Sequence, residues 1–288
     1  MVCLRSERIV KGRATPLDVS VIYNPSTGEF LTLPETKTTK TTRDLSFRWR
    51  SYLGYDPVKK QHKVLSMAYM KQHEKKYQKY EKCVEFQVLS LGTGKLTWNV
   101  VESCISHFPP EARSEICING VLYYRAEVKD SSGVTMSVVS FDFRSEKFNV
   151  LKFMESFTLS DTTALVNYNG KLGVLMTDEY GGFVTRRSTC FELWILEDLV
   201  KHEWSKHMYE LPPLWKNVGH DGLHFDGMIG TDEIVLLSSG VDDVPYVLYY
   251  NIKRKMIVRV EIKGIKPFMV EGFHIFLNHV ENVKLIQA

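Results

Sequence analysis

The sequence of 288 residues has few cysteines, no signal peptide and no long apolar run, and each absence excludes a class of protein. Its five cysteines are odd in number, and no Cys-x-x-Cys pair or Cys/His group has the spacing of zinc ligands. We therefore expect free thiols in a reducing compartment. The first residues lack the apolar core of a signal peptide, and no apolar run approaches the roughly 18 residues of a membrane span. These absences predict an intracellular protein, cytoplasmic or nuclear, with no membrane partner.

Sequence motifs of catalysis and cofactor binding are also absent. There is no Gly-x-Ser-x-Gly, P-loop or His-Glu-x-x-His pattern, and Gly92-Thr-Gly94 lies between two apolar runs, as a tight turn does. The densest titratable cluster runs from His220 to Asp226 and offers no third anchored metal ligand. A net charge of +3 gives no reason to expect a nucleic-acid partner. The sequence predicts a non-catalytic protein without cofactor or metal.

The sequence does contain a repeated pattern of paired apolar strands. Five outer hairpins turn at Asn24, Leu91, Asp142, Asp198 and Asn251, at intervals of 67, 51, 56 and 53 residues. Inner hairpins lie between them, and two of these turn at Asn-Gly pairs, 119–120 and 169–170, where both residues need a positive φ. A strand repeat near 50 residues is typical of a β-propeller.

We predict an all-β, propeller-like fold of five to six four-stranded blades in one domain, residues 1–288. Four blades are predicted at 52–101, 116–152, 164–209 and 225–262. The hairpin predicted at 273–286 has no outer hairpin after it, and the hairpin at 20–33 has little before it. Either the two ends pair into one closing blade, or the ring is incomplete at the amino terminus.

Irregular connectors between the hairpins carry the candidate partner-binding residues. Trp49 and Trp215 lie near such connectors beside Arg50 and Lys216, and these two aromatic–cation pairs, together with His224, are the candidates. The alternative is that each tryptophan covers an edge of the core. The predicted contact loops are 35–50, 71–82, 180–188, 210–224 and 240–245.

The strand and turn motifs also carry a family resemblance. They are Asn24–Pro34, Leu53–Pro57 leading to His62–Leu65, Ile116–Tyr124, Val139–Asp142, and Glu192–Asp198 with Trp204. In this order they resemble the plant F-box-associated domain of β-propeller, kelch-like type, over nearly the whole chain. The resemblance implies the substrate-recruiting subunit of an SCF-type ubiquitin ligase. In that family an F-box docks on a Skp-type adaptor and the propeller binds the target.

The 288 residues contain no F-box, so a Skp-type adaptor is an expected partner only if an F-box exists upstream. Residues 1–4 look like the tail of the family's first inner hairpin. The predicted function is a protein-interaction domain that binds an unknown target protein for ubiquitination. Three alternatives stay open: a truncated, propeller-only remnant without ligase function, a carbohydrate-binding propeller, and an enzymatic propeller.

Overall fold

The computed structural model describes residues 1–8, 17–38, 47–70, 82–109, 115–131, 133–152, 159, 162–177, 182–218, 222–238, 245–264 and 275–277. Within these residues the regular secondary structure is almost entirely β-strand, with one four-residue helix, α1 (Trp215–Val218). The strands form five antiparallel sheets, arranged as the blades of a β-propeller. The predicted all-β propeller fold is therefore confirmed, with five blades.

The blades follow one another in chain order. Blade 1 contains β1 (Val2–Arg8), β2 (Leu17–Tyr23) and β3 (Phe30–Thr32). Blade 2 contains β4 (Phe47–Asp56), β5 (Gln61–Met70), β6 (Lys82–Ser90) and β7 (Asn99–Val101). Blade 3 contains β8 (His107–Phe108), β9 (Glu115–Ile118), β10 (Val121–Asp130), β11 (Gly133–Asp142) and β12 (Lys147–Leu151). Blade 4 contains β13 (Ala164–Tyr168), β14 (Lys171–Met176), β15 (Cys190–Asp198) and β16 (Glu203–Glu210). Blade 5 contains β17 (Leu223–Ile229), β18 (Glu233–Ser238), β19 (Tyr246–Asn251) and β20 (Met256–Glu261).

The four blades predicted from the sequence correspond to blades 2 to 5, and blade 3 differs in one detail. In blade 3 the first strand is divided, because β8 and β9 both pair with β10. The prediction missed β8, since two residues show no alternating pattern. The hairpin predicted at 273–286 lies outside the described residues except for 275–277, which form no strand. The side chains of Ile275 and Leu277 there pack against blade 5.

The hairpin turns repeat one local solution. Asp56, Asp142 and Asp198 each accept two backbone N–H bonds from the turn that follows. Four residues after each of them, and after Asn251, the backbone is left-handed, with φ between 51° and 56°. Asn119-Gly120 and Asn169-Gly170 have positive φ at both positions, as predicted. A side chain that bonds back to its own turn makes the hairpin tight without contacts elsewhere.

The core lies between neighbouring blades, and hydrogen bonds join the outer strands there. Trp98 Nε1 of blade 2 donates to the Pro34 carbonyl, which follows blade 1, at 2.9 Å. Trp204 Nε1 of blade 4 donates to the Lys152 carbonyl, which follows blade 3, at 3.1 Å. The same kind of bond thus joins blade 2 to blade 1 and blade 4 to blade 3.

Candidate partner-binding surface

The short and the long connections lie at opposite ends of the blades. Adjacent strands are antiparallel, so successive connections alternate between the two ends. The first end, here called the turn end, has segments of 2–8 residues: 24–29, 57–60, 91–98, 119–120, 143–146, 169–170, 199–202, 230–232 and 252–255. The other, the connector end, has 131–132 and segments of 7–14 residues: 9–16, 33–46, 71–81, 102–114, 152–163, 177–189, 211–222 and 239–245.

Of the five contact loops predicted from the sequence, 71–82 and 240–245 lie outside the described residues except for residues 82 and 245. The described strands that flank all five segments have their connected ends at the connector end. The sequence did not indicate that they share one end, because that follows only from the strand order within each blade. Residues in connecting segments are free to vary without breaking the sheets, and such loops carry recognition in many folds. Partner binding by these loops stays a prediction. Within each blade, the alternation of the strands puts the residues that flank these segments at the end opposite the tight turns.

Two connectors of blade 4 pack together at this end and form a platform, defined as residues 182–189 and 211–218. Val184 and the first residue of β17, Leu223, form an antiparallel bridge with N···O distances of 2.7 and 3.1 Å. The Leu211 N–H donates to the Thr189 carbonyl at 2.8 Å. The platform therefore has regular backbone hydrogen bonds, although the sequence indicated only irregular loops.

Trp215 anchors the platform from inside. Its side chain is only 1% exposed and belongs to the core cluster between blades 4 and 5. Its Nε1 donates to the Thr185 carbonyl at 2.7 Å, so the one polar group of the indole is used within the chain. Of the two roles considered for Trp215, the structure supports covering the core, and the ring is not available as an exposed anchor. Lys216 beside it is exposed.

Local chemistry explains why the platform adopts this shape. Pro212 and Pro213 precede α1, and proline has the backbone angle of a first helical turn. On the other segment the Ser188 hydroxyl accepts a bond from the Thr185 N–H at 2.8 Å. The Thr185 hydroxyl accepts one from the Arg187 N–H at 3.1 Å. These turns set the backbone on either side of the Trp215 bond.

The other predicted aromatic–cation pair lies on blade 2. Trp49 and Arg50 are half-buried on β4, and the Arg50 Nη1 donates to the Pro109 carbonyl at 3.3 Å. Burial opposes the charge of Arg50, but nearby Tyr52, Tyr69 and Glu115 raise its pKa above the usual guanidinium value. Arg50 thus connects β4 to the segment that follows β8 in blade 3. Trp49 and Arg50 lie on blade 2, apart from Trp215 and Lys216, which lie between blades 4 and 5.

His224, the fifth predicted residue, is half-buried on β17, directly after the bridge to the platform. Two members of its titratable cluster, His220 and Asp221, lie outside the described residues. Across the part of the chain that the structure describes, no group of three or more His, Cys, Asp and Glu residues is placed to hold a metal ion. Within the same part, no helix is long and apolar enough to cross a membrane.

Asp226 has an unusual environment close to the platform. It lies at a β-bulge of β17, where the pairing shifts between Phe225 and Gly227. Its Oδ2 is buried and has no hydrogen-bond partner among the residues that the structure describes. Burial raises the pKa of the carboxyl to about 7. A bulge changes the direction in which a side chain points. Here it places the Asp226 carboxyl in a buried environment that disfavours the charged form.

The raised pKa of Asp226 predicts a pH-dependent effect of Asp226→Asn. Between about pH 4 and 7, the folded state keeps a proton on Asp226 that the unfolded state, with its ordinary pKa, has already lost. The free energy of unfolding therefore falls as the pH rises through that window. The substitution should raise the free energy of unfolding by about 1–3 kcal/mol at pH 8 and change it little at pH 4. Urea unfolding at both pH values measures this.

The matched control is Asp232→Asn in the neighbouring turn. A hydrogen bond from Lys253 lowers the pKa of Asp232, so this substitution should not stabilise the chain at pH 8. An equal effect of Asp226→Asn at both pH values would contradict the assignment of a buried, unpartnered carboxyl.

A cleft of about 720 Å³ adjoins the platform at the outer edge of blade 4. Its walls include Thr189, Met208, Tyr209 and Leu211, with Lys255 from the last turn of blade 5. The Lys255 ammonium and the Tyr250 hydroxyl both donate to the Glu210 carbonyl. Sequence reasoning missed this cleft, because its residues come from two blades and form no motif.

The sequence is similar to a known family over nearly all of its length. A family model described as the F-box associated beta propeller domain matches residues 1–280. The protein At3g23960 of Arabidopsis thaliana, provisionally named as an F-box protein, is 55% identical over 288 residues, which are 99% of this chain and 68% of that protein. F-box protein DOR is 47% identical over 292 residues, 99% of this chain and 68% of its own length. F-box protein At5g65850 is 44% identical over 271 residues, 93% and 63%. The chain thus spans about two thirds of the length of these A. thaliana relatives.

Proposed function

Because the chain belongs to the F-box associated β-propeller family, as its motifs predicted, we propose that it is the target-binding domain of a substrate receptor of an SCF-type ubiquitin ligase. The observation that carries the proposal is the asymmetry of the two ends. At the turn end, Asp56, Asp142 and Asp198 accept hydrogen bonds from the backbone of the short turns that follow them. The connector end has the long segments, one pair of which is packed into a platform with exposed side chains.

The rigidity of the blades supports binding at the connector end. Hydrogen bonds from Trp98 and Trp204 fix neighbouring blades, and the platform is held by a backbone bridge and the Trp215 bond. A surface that is ordered before binding loses less conformational entropy when a partner docks. This rigidity favours recognition of a folded protein or a short extended segment by residues at fixed positions.

The role of the domain in the ligase is to bring its target close to the ubiquitin-transferring subunits. In F-box proteins the adaptor contact is made by the F-box, so the propeller residues described here serve the target side of the complex. A Skp-type adaptor is therefore an expected partner only of a chain in which an F-box precedes this domain.

Steric blocking of one end at a time tests the proposal. A small folded domain, flanked by flexible linkers, is inserted after Ser131 at the connector end or after Arg144 at the turn end; both residues are exposed. The tagged chain, fused to an F-box, is expressed in plant cells, and co-purifying and ubiquitinated proteins are quantified. We expect the connector-end insertion to remove partners that the turn-end insertion retains.

The chain without an F-box is the control for ubiquitination, because it should bind the same partners without raising their ubiquitin content. The opposite pattern, in which only the turn-end insertion removes the partners, would reject the connector end as the binding surface. Circular dichroism and thermal unfolding verify that both insertions leave the propeller folded.

A further inference from the structure

The platform is a local concentration of positive charge. Its two segments, 182–189 and 211–218, contain Arg186, Arg187 and Lys216 and no Asp or Glu, although the whole chain has 37 Lys/Arg against 34 Asp/Glu. All three cationic side chains are exposed. Asp178 and Glu179, which precede the platform in the sequence, lie outside the described residues. A local excess of one sign attracts partners of the opposite sign.

The platform cations differ from their neighbours in how they are paired. On blades 4 and 5, Lys171 is paired with Glu197, Lys206 with Glu192 at 2.6 Å, and Lys253 with Asp232 at 2.9 Å.

Arg187 and Lys216, in contrast, form no ion pair with any residue that the structure describes. An exposed ion pair is worth little to stability, so leaving these two cations unpaired costs little. Their charges remain for an external partner.

The two cations are held on fixed backbone. Lys216 follows Trp215, whose indole donates to the Thr185 carbonyl, and the Arg187 N–H donates to the Thr185 hydroxyl. Arg187 and Lys216 therefore flank one hydrogen bond, from opposite segments. Positions fixed in this way allow two charges to be recognised together rather than one at a time.

An exposed apolar side chain lies in the same platform segment as Lys216. Leu214 is 56% exposed and precedes Trp215, and Pro213 beside it is exposed too. A guanidinium binds a carboxylate through two parallel hydrogen bonds, and an ammonium adds a second point of charge. A partner that fits this surface needs carboxylates for Arg187 and Lys216 and an apolar side chain for Leu214.

We propose that the platform binds an acidic segment of the target protein, in which two or more Asp or Glu side chains lie next to an apolar side chain. This inference rests on the proposed function and names the chemistry of the target. The proposal is carried by the unpaired cations of Arg187 and Lys216, their fixed positions and the neighbouring Leu214.

Selection from a displayed library of random 12-residue peptides tests the inference directly. The purified 288-residue chain is the bait, and the composition of the enriched peptides is the measurement. We expect enrichment of Asp and Glu next to Leu, Ile, Met or Phe. One enriched peptide is then synthesised with a fluorophore, and its Kd is measured by anisotropy at two salt concentrations.

Charge-reversal variants assign the binding to the platform. Arg187→Glu with Lys216→Glu should raise the Kd about 10-fold or more, because two favourable charge contacts become repulsive. Lys59→Glu with Arg144→Glu makes the same change of charge at the turn end, on exposed residues, and should change the Kd less than about 2-fold. A peptide in which Asn and Gln replace Asp and Glu should bind the unchanged chain about as weakly as the original peptide binds the Arg187→Glu, Lys216→Glu double variant.

Each other outcome overturns the inference. If the enriched peptides contain no excess of Asp and Glu, the platform does not bind an acidic segment. If both double variants raise the Kd equally, the effect is one of general charge and not of the platform. A phosphoserine version that binds more than about 10-fold tighter than the carboxylate version assigns the platform to a phosphorylated target instead. If the connector-end insertion removes the cellular partners but the library shows no acidic enrichment, the proposed function stands and only the chemistry of the target is wrong.

Discussion

Replacing Trp215 by alanine should lower the free energy of unfolding by about 3–5 kcal/mol, the usual cost of removing a buried large aromatic side chain. The ring packs in the cluster between blades 4 and 5 with Val184, Phe191 and Leu223. Its removal leaves a cavity and also deletes the hydrogen bond to the Thr185 carbonyl. Urea unfolding, followed by far-UV circular dichroism, measures the loss.

A second measurement on the same variant reports on the platform. The Val184 N–H donates to the Leu223 carbonyl, so hydrogen exchange at Val184 follows the bridge that closes the platform. In Trp215→Ala this exchange should accelerate more than exchange in blade 2. Trp215→Phe keeps most of the apolar volume but removes the indole N–H with part of the ring, so it should cost less than Trp215→Ala, about 1–2 kcal/mol.

A cost below about 1 kcal/mol for Trp215→Ala, or unchanged exchange at Val184, would contradict the anchoring role. It would also weaken the acidic-segment inference, since Arg187 and Lys216 are positioned through the Trp215 bond. The two experiments are independent: the peptide selection uses the intact platform, whereas the exchange measurement asks what holds it together.

The turns could be predicted from the sequence, because their chemistry is local. An Asn-Gly pair has positive φ wherever two strands meet at it, and Asp142 bonds to the N–H groups of the next few residues. From these turns and the spacing of the hairpins follow the blades and the propeller. The structure of the two ends of the chain could not be predicted in this way, because closing the ring of blades depends on contacts between residues far apart in sequence.

The platform could not be predicted for the same reason. The loops 180–188 and 210–224 were each identified as contact loops, but nothing in the sequence joins them. Trp215 and Thr185 are 30 residues apart, and only the packing of blade 4 against blade 5 brings the indole to the carbonyl. The sequence therefore left both roles of Trp215 open, an exposed anchor or a cover of the core edge, whereas the structure shows that Trp215 is buried and Lys216 beside it is exposed.

Buried titratable groups are a second feature that sequence reasoning missed. His107 lies in β8, and its Nε2 and the Tyr124 hydroxyl are 2.6 Å apart. The Ile105 carbonyl, 3.1 Å from Nδ1, can only accept, so Nδ1 carries the proton and the Tyr124 hydroxyl donates to Nε2. Burial lowers the pKa of His107 to about 4. A single histidine in a sequence does not reveal this, because burial is decided by blades 2 and 3 together.

The largest steric effect is expected at Gly54, in the Leu53–Pro57 motif that carried part of the family resemblance. Gly54 lies on β4, and a Cβ built there would be 1.9 Å from Cε2 of Phe143 in blade 3. Phe143 is fully buried, its ring meets Phe141 edge to face, and its carbonyl accepts a 2.7 Å bond from the Lys63 ammonium. The ring therefore has nowhere to move.

Gly54→Ala should consequently lower the free energy of unfolding by about 3 kcal/mol, the upper part of the range for an overpacked core. Gly227→Ala is the matched control. Its Cβ would meet only the end of the Leu277 side chain, which can rotate away, so its cost should be clearly smaller. Urea unfolding of both variants under the same conditions measures the difference.

A double-mutant cycle with Phe143→Leu ties the cost to the contact between blades 2 and 3. If the added methyl group collides with the ring, the smaller leucine relieves the collision. The loss of unfolding free energy in the double variant should then be smaller than the sum of the two single losses by about 1 kcal/mol or more. Strict additivity would show that Gly54→Ala acts on β4 alone. In that case glycine would be needed there for the strand itself, and not because two blades approach each other closely.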